Sequence, residues 1–141
     1  MDGEVTLAKL ESLHRCLRRI ETRRPSSVEA LLADIDAQDI LSLNLERAIQ
    51  LCVDLAAMSL ADRDEPPPIS MREAFLGMGR LGLLTPDLAA RLAGAVTLRN
   101  ILVHEYARVD WARVFDAVDL SLPDLEAFAR VVASGFPGRS L

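Results

Sequence analysis

One short stretch of this 141-residue chain gathers side chains able to act on a phosphate: Leu98-Arg99-Asn100-Ile101-Leu102-Val103-His104-Glu105-Tyr106. A guanidinium forks onto phosphate oxygens, an imidazole exchanges protons near neutrality, and a phenol adds a hydroxyl. The same spacing also fits a solvated Arg99, a hydrogen-bonded His104 in the core and a Tyr106 used only for packing. In an unbroken helix Arg99 and Tyr106, seven residues apart, share a face, whereas His104 lies roughly 140° around the axis from Arg99. Convergence of all three requires either that the helix unwinds near His104 or that two copies meet in a symmetric dimer, each lending its arginine and histidine to one cleft.

Other chemistries find little support. Gly77-Met78-Gly79-Arg80-Leu81-Gly82 has the letters G-x-G-x-x-G, but it follows a helical pattern and lacks the βαβ unit that aims backbone amides at a pyrophosphate, so it reads as a helix-ending turn. His14 and His104 are far apart, and neither anchors a metal-ligand set; Glu11 near His14 and Glu105 beside His104 do not complete one. No serine–histidine–acid triad or cysteine–histidine pair is visible. Cys16 and Cys52 sit among apolar residues and read as buried small hydrophobes of a reducing compartment. Gly94 lies inside a predicted helix, where it is either simply tolerated or marks the close approach of another helix.

The charge balance narrows the partners. Sixteen basic against 21 acidic side chains leave a formal charge of −5, and Lys9 is the only lysine. A Schiff-base lysine and a broad polybasic surface are thereby set aside, and any contact with nucleic acid must come from a few placed arginines. The N-terminus reaches charged residues before any long apolar run, so neither a leader nor a membrane span is expected and the location is expected to be cytoplasmic.

The elements that must hold the motif are helical. Leu7, Leu10, Leu13, Leu17 and Ile20 form an amphipathic stripe within a helix from Val5 to Arg23, ended by Pro25. Ser26-Ser27-Val28-Glu29 opens a short helix running into a long one that ends near Asp62; Glu65-Pro66-Pro67-Pro68 then breaks the chain. Ser70-Met71-Arg72-Glu73 starts a helix through Phe75 and Leu76 that stops at the glycines. Thr85-Pro86-Asp87 starts one from Pro86 to about Val103. A segment from Asp110 carries Trp111, Val114, Phe115 and Val118, another follows Ser121 and Pro123, and the tail from Gly135 is loop. Trp111, Phe115 and Phe128 read as core. With half its residues apolar, no alternating strand pattern and length for one core, residues 1–141 are expected to be a single all-α domain, an antiparallel bundle of about five helices.

Arg99 to Tyr106 reads R-x4-H-x-Y, and this resembles the signature of HepT-like proteins of the HEPN superfamily. The resemblance extends to Leu45-Glu46-Arg47-Ala48-Ile49-Gln50, to Asp54, to Arg72-Glu73-Ala74-Phe75 followed by Gly82, and to Asp110-Trp111. It implies an all-α homodimer whose composite site cleaves RNA without metal or cofactor, as the toxin of a toxin–antitoxin pair. The implied partner is a minimal nucleotidyltransferase antitoxin that uses ATP to transfer AMP to the motif tyrosine. On this resemblance Arg99 and His104 are the catalytic pair, Asn100 orients one of them, and Tyr106 is the modified residue. Arg47, Gln50 and Asp54 form a polar stripe on the long helix; it is either a solvated or salt-bridged face or, for Arg47 and Asp54, a support of the cleft. RNA is the expected substrate and DNA is not, because the chemistry needs the ribose 2′-OH. The competing reading is a non-catalytic helical module that binds a nucleotide or a partner.

Overall fold

Side-chain caps mark where each helix begins. In the computed structural model, which describes residues 2–135, Asp2 accepts from the amides of Glu4 and Val5 at the start of α1 (Gly3–Arg23). Ser27 caps α2 (Val28–Leu32), Asp34 caps α3 (Ile35–Ala61) and Ser70 caps α4 (Met71–Arg80). Thr85 caps α5 (Pro86–His104), and Asp110 caps α6 (Trp111–Ser134). Each cap satisfies amides that have no partner within the helix. The described residues form six α-helices and a 3-10 turn over Tyr106–Arg108, with no strand among them. The expected all-α architecture holds, and the expected loop from Gly135 onward extends outside the described residues.

Three boundaries differ from expectation. The fourth helix does not stop at the glycines but carries Gly77 and Gly79 inside it. Both are packing residues: a Cβ on Gly79 would lie 2.8 Å from the Cβ of Ala89 on α5, and one on Gly77 would lie 3.2 Å from Leu60 on α3. The turn falls at Gly82, whose φ of +74° suits glycine. The two segments expected around Pro123 are one continuous helix, α6. Pro123 faces solvent, so the carbonyl it leaves unbonded can be hydrated while Val114, Val118, Leu122, Leu125 and Phe128 keep one buried stripe on either side of it. α1 starts at Gly3, and Leu7 is exposed rather than part of the stripe.

α1 lies along α3 and α4 along α5, with α6 packed against α1, α2, α3 and α5. The centre is filled by Leu13, Ile20, Leu45, Ile49, Phe75 and Phe128, all fully buried; the two phenylalanine rings meet edge to face with centroids 5.6 Å apart. Arg72 on α4 reaches across to α5, donating to the carbonyl of Ala93 at 2.7 Å and to Thr97 at 3.5 Å. That clamp holds α5 two residues before Arg99. Cys16 and Cys52 are buried free thiols whose ionisation burial disfavours, which makes them packing residues. Among the described residues, no helix is long and apolar enough to cross a membrane.

Candidate active site

The end of α5 decides how the motif is displayed. The helix terminates at His104, and the amide of Glu105 closes its last turn on the carbonyl of Ile101. The chain then turns through Tyr106–Arg108 before α6. The helix thus unwinds just after His104, which redirects Tyr106 but leaves Arg99 and His104 in helical register, so this route alone does not bring all three together in one chain. The unwinding releases Tyr106 from the helical register and swings it toward α3.

There the Tyr106 hydroxyl donates to the carboxylate of Asp39, and its ring sits edge-on to Trp111 with centroids 5.7 Å apart. Trp111 also braces the tyrosine; it and Phe115 are half-buried and pack against the edge of the core, while Phe128 lies fully inside it. Tyr106 keeps 40% of its surface exposed, enough for a reagent to reach the phenol. Its pKa is pushed up to about 12, first by desolvation, then by the hydrogen bond to Asp39 and the negative field of Asp39 and Glu46.

His104 is exposed and its imidazole has no hydrogen bond or ion pair among the described residues, so the reading of it as a satisfied core histidine is overturned. Arg99 is partly buried, and its Nη1 donates to Oδ1 of Asn100 at 3.1 Å. Its Nε is buried with no hydrogen-bond partner. A buried guanidinium donor without an acceptor is costly, and an anion or an acceptor from another chain would satisfy it. The structure thus brings Arg99, Asn100, His104 and Tyr106 to one end of α5, but Arg99 and His104 remain on different flanks of that helix.

The polar stripe of α3 divides. Asp54 accepts from Lys9 at 3.2 Å and from Gln50 at 3.0 Å, tying α1 to α3. Arg47 is exposed and lines a groove between the same two helices. Among the described residues, neither makes a hydrogen bond or ion pair with the motif. Gly94 has nothing within 4 Å of where its Cβ would stand, so no helix of the same chain approaches it closely. It faces an open groove of about 470 Å³ between α5 and α6. His14 is exposed, and among the described residues no group of three or more His, Cys, Asp or Glu side chains gathers into a metal-ligand cluster.

Sequence reasoning missed Asp39 and Glu46 as neighbours of the motif. Asp39 lies 67 residues before Tyr106, and no local signal sets it apart from Asp34 and Asp36 in the same run. Only the pairing of α3 with the end of α5 singles it out.

Comparison with known proteins identifies relatives that match nearly the whole chain. The family described as Ribonuclease HepT-like matches residues 13–132. The mRNA nuclease HepT of Shewanella oneidensis is 30% identical over 130 residues, covering 92% of this chain and 97% of that protein. The tRNA nuclease HepT of Aphanizomenon flos-aquae is 29% identical over 126 residues, covering 89% and 86%. Among solved structures, the tri-AMPylated Shewanella oneidensis HEPN toxin in complex with the MNT antitoxin is similar with a TM-score of 0.85. It is 29% identical, and the match covers 95% of this chain and 99% of that one.

Proposed function

The chain belongs to the HepT-like ribonuclease family, and from that membership we propose that it is the endoribonuclease toxin of a toxin–antitoxin pair, with Arg99 and His104 as its catalytic pair and Tyr106 as the site of silencing by AMP. The observation that carries the reading is the state of the motif at the end of α5. Arg99 holds an unpartnered buried donor, His104 stands free in solvent, and Tyr106 offers an accessible hydroxyl. A structural motif would have its polar groups satisfied, whereas a site awaiting substrate has them open.

The residues supply a complete RNA cleavage without metal. One His104 imidazole takes the proton of the ribose 2′-OH, whose oxygen attacks the adjacent phosphorus; the bond from phosphorus to the 5′-oxygen breaks, and a protonated imidazole returns a proton to that leaving oxygen. A second copy of the chain supplies this second imidazole in a composite cleft. Arg99, oriented by Asn100, holds the charge that builds on the phosphoryl oxygens. The products are a 2′,3′-cyclic phosphate and a 5′-hydroxyl, so a DNA strand of the same sequence remains intact and chelators leave the rate unchanged. Mass analysis of cleaved RNA ends in EDTA tests this; cleavage of DNA, or loss of activity on chelation, would overturn it.

Silencing requires the Tyr106 oxygen to bond to the α-phosphorus of ATP in the antitoxin's site, with release of pyrophosphate. The phenol, protonated at neutral pH like any tyrosine and holding its proton more firmly because its pKa is raised to about 12, must lose that proton in the step, and the Asp39 carboxylate already accepts its hydrogen bond. Asp39 therefore takes the proton as the bond forms. Asp39→Asn is expected to slow AMP addition about 10²-fold, within the range of a general base, and Asp39→Glu to recover much of it. Equal rates of AMP incorporation in all three proteins, followed by intact mass, would remove Asp39 from this role. The adduct adds negative charge at the end of α5 that carries Arg99, where it competes with RNA for the site. Asp54 supports the site indirectly by holding α1 and α3 in register through Lys9 and Gln50, while Arg47 lies on α3 in the groove between α1 and α3, apart from the motif.

A further inference from the structure

We propose that the groove between α1 and α3, walled by Arg15, Arg19 and Arg47, binds the phosphodiester backbone of the RNA strand beyond the bond that is cut. This rests on the ribonuclease reading for the identity of the strand, but the groove itself is a separate feature. It has a volume of about 400 Å³, and its remaining polar lining comes from Ser12, Asn44 and Gln50. All three arginines are exposed, and none has an ion-pair partner among the described residues. They converge: each bears on the buried thiol of Cys16, where their positive field opposes the rise imposed by burial.

In a chain of net charge −5, three unpaired guanidiniums around one groove are a local reversal of sign. No carboxylate lines it. Asp54, one turn beyond Gln50 on α3, is already engaged by Lys9 and Gln50, and Glu46 is directed to Ser42 and the field of Tyr106. Like charges gathered without counterions repel one another, and a multivalent anion relieves that repulsion. Arginine forks match phosphate oxygens, and consecutive phosphates of a strand match a row of them.

Position connects this groove to the active site. Asp39 touches Tyr106, and Arg47 follows it on α3 by eight residues, about 12 Å along the axis. A strand cut at Arg99 and His104 can continue into the groove. Its floor is Cys16 and Leu51, with no aromatic ring on which a base could stack. Recognition there is of the backbone and tolerant of sequence.

The test uses the full chain carrying His104→Ala, so that RNA stays intact, and a labelled single-stranded oligoribonucleotide of about 12 nucleotides, a length within the span of common single-strand sites. Combining Arg15→Gln with Arg19→Gln is expected to raise Kd about tenfold at low salt and to reduce the slope of log K against log salt by about 1.4, two phosphate contacts at about 0.7 each. Arg15→Lys with Arg19→Lys should keep most of the slope, which separates charge from fold. An unchanged Kd and slope in the glutamine protein would overturn the proposal, as would loss of antitoxin binding with RNA binding intact, which would assign the groove to the protein partner. In the His104-containing protein, failure to cleave any RNA while the glutamine changes still weaken binding would sink the catalytic reading and leave the groove standing. Cleavage with arginine-independent binding would do the reverse.

Discussion

His104→Ala will lower the rate of RNA cleavage by about 10²–10⁴-fold, the range associated with a lost general acid–base group, and the fold will be unaffected. The second half of that expectation follows from exposure. The imidazole stands in solvent on the last turn of α5 and makes no hydrogen bond among the described residues, so its removal opens no cavity and orphans no partner. Unfolding midpoints of the natural and variant proteins should therefore coincide while their cleavage rates differ. Expression of the natural protein is expected to arrest growth, and the variant to relieve the arrest. Arg99→Lys is an informative companion: it keeps the charge but loses the fork that holds two phosphoryl oxygens, so it should also be impaired. Unchanged cleavage and unchanged growth arrest with His104→Ala would instead favour a module that acts only by binding.

Tyr106→Phe gives the opposite separation, with cleavage of RNA retained and silencing lost. The phenyl ring stays in place against Trp111, but the oxygen that accepts AMP is gone. Incubation with the antitoxin and ATP should add no AMP to the phenylalanine protein and leave its nuclease activity intact. Full inhibition under those conditions, or AMP found on another residue, would show that the acceptor lies elsewhere.

The same substitution has a signature in stability. The Tyr106 pKa is raised from 10 to about 12 in the folded protein, so the folded chain keeps a proton that the unfolded chain loses in that interval. The stabilisation from this group is fully present below pH 10 and disappears as the pH rises through about 12. The stability difference between the natural and phenylalanine proteins should shrink across that window and not between pH 5 and 8.

Much of the scaffold is legible in the sequence because helix signals are local. Ser27, Ser70, Thr85 and Asp110 cap the helices that their neighbourhoods announced, and Pro86 occupies the first turn it suits. The failures came where a local rule met a tertiary circumstance. Gly77 and Gly79 looked like a stop, yet they let α4 approach Leu60 and Ala89. Pro123 looked like a boundary, yet it lies on the solvent face of a helix whose apolar stripe holds both halves down.

The active site divides along the same line. Sequence alone determined the all-helical class, the position of the Arg99–Tyr106 motif at the end of a helix, and the need for that helix to unwind or for two copies to meet. Each follows from helical periodicity and the chemistry of nearby residues. Tertiary structure decided that the helix ends at His104, that Tyr106 crosses to Asp39 on a helix 67 residues earlier, and that Arg15, Arg19 and Arg47 share one groove. Those facts depend on which faces of α1, α3 and α5 are buried against one another, and the packing of distant apolar stripes sets that arrangement, beyond the reach of spacing along the chain.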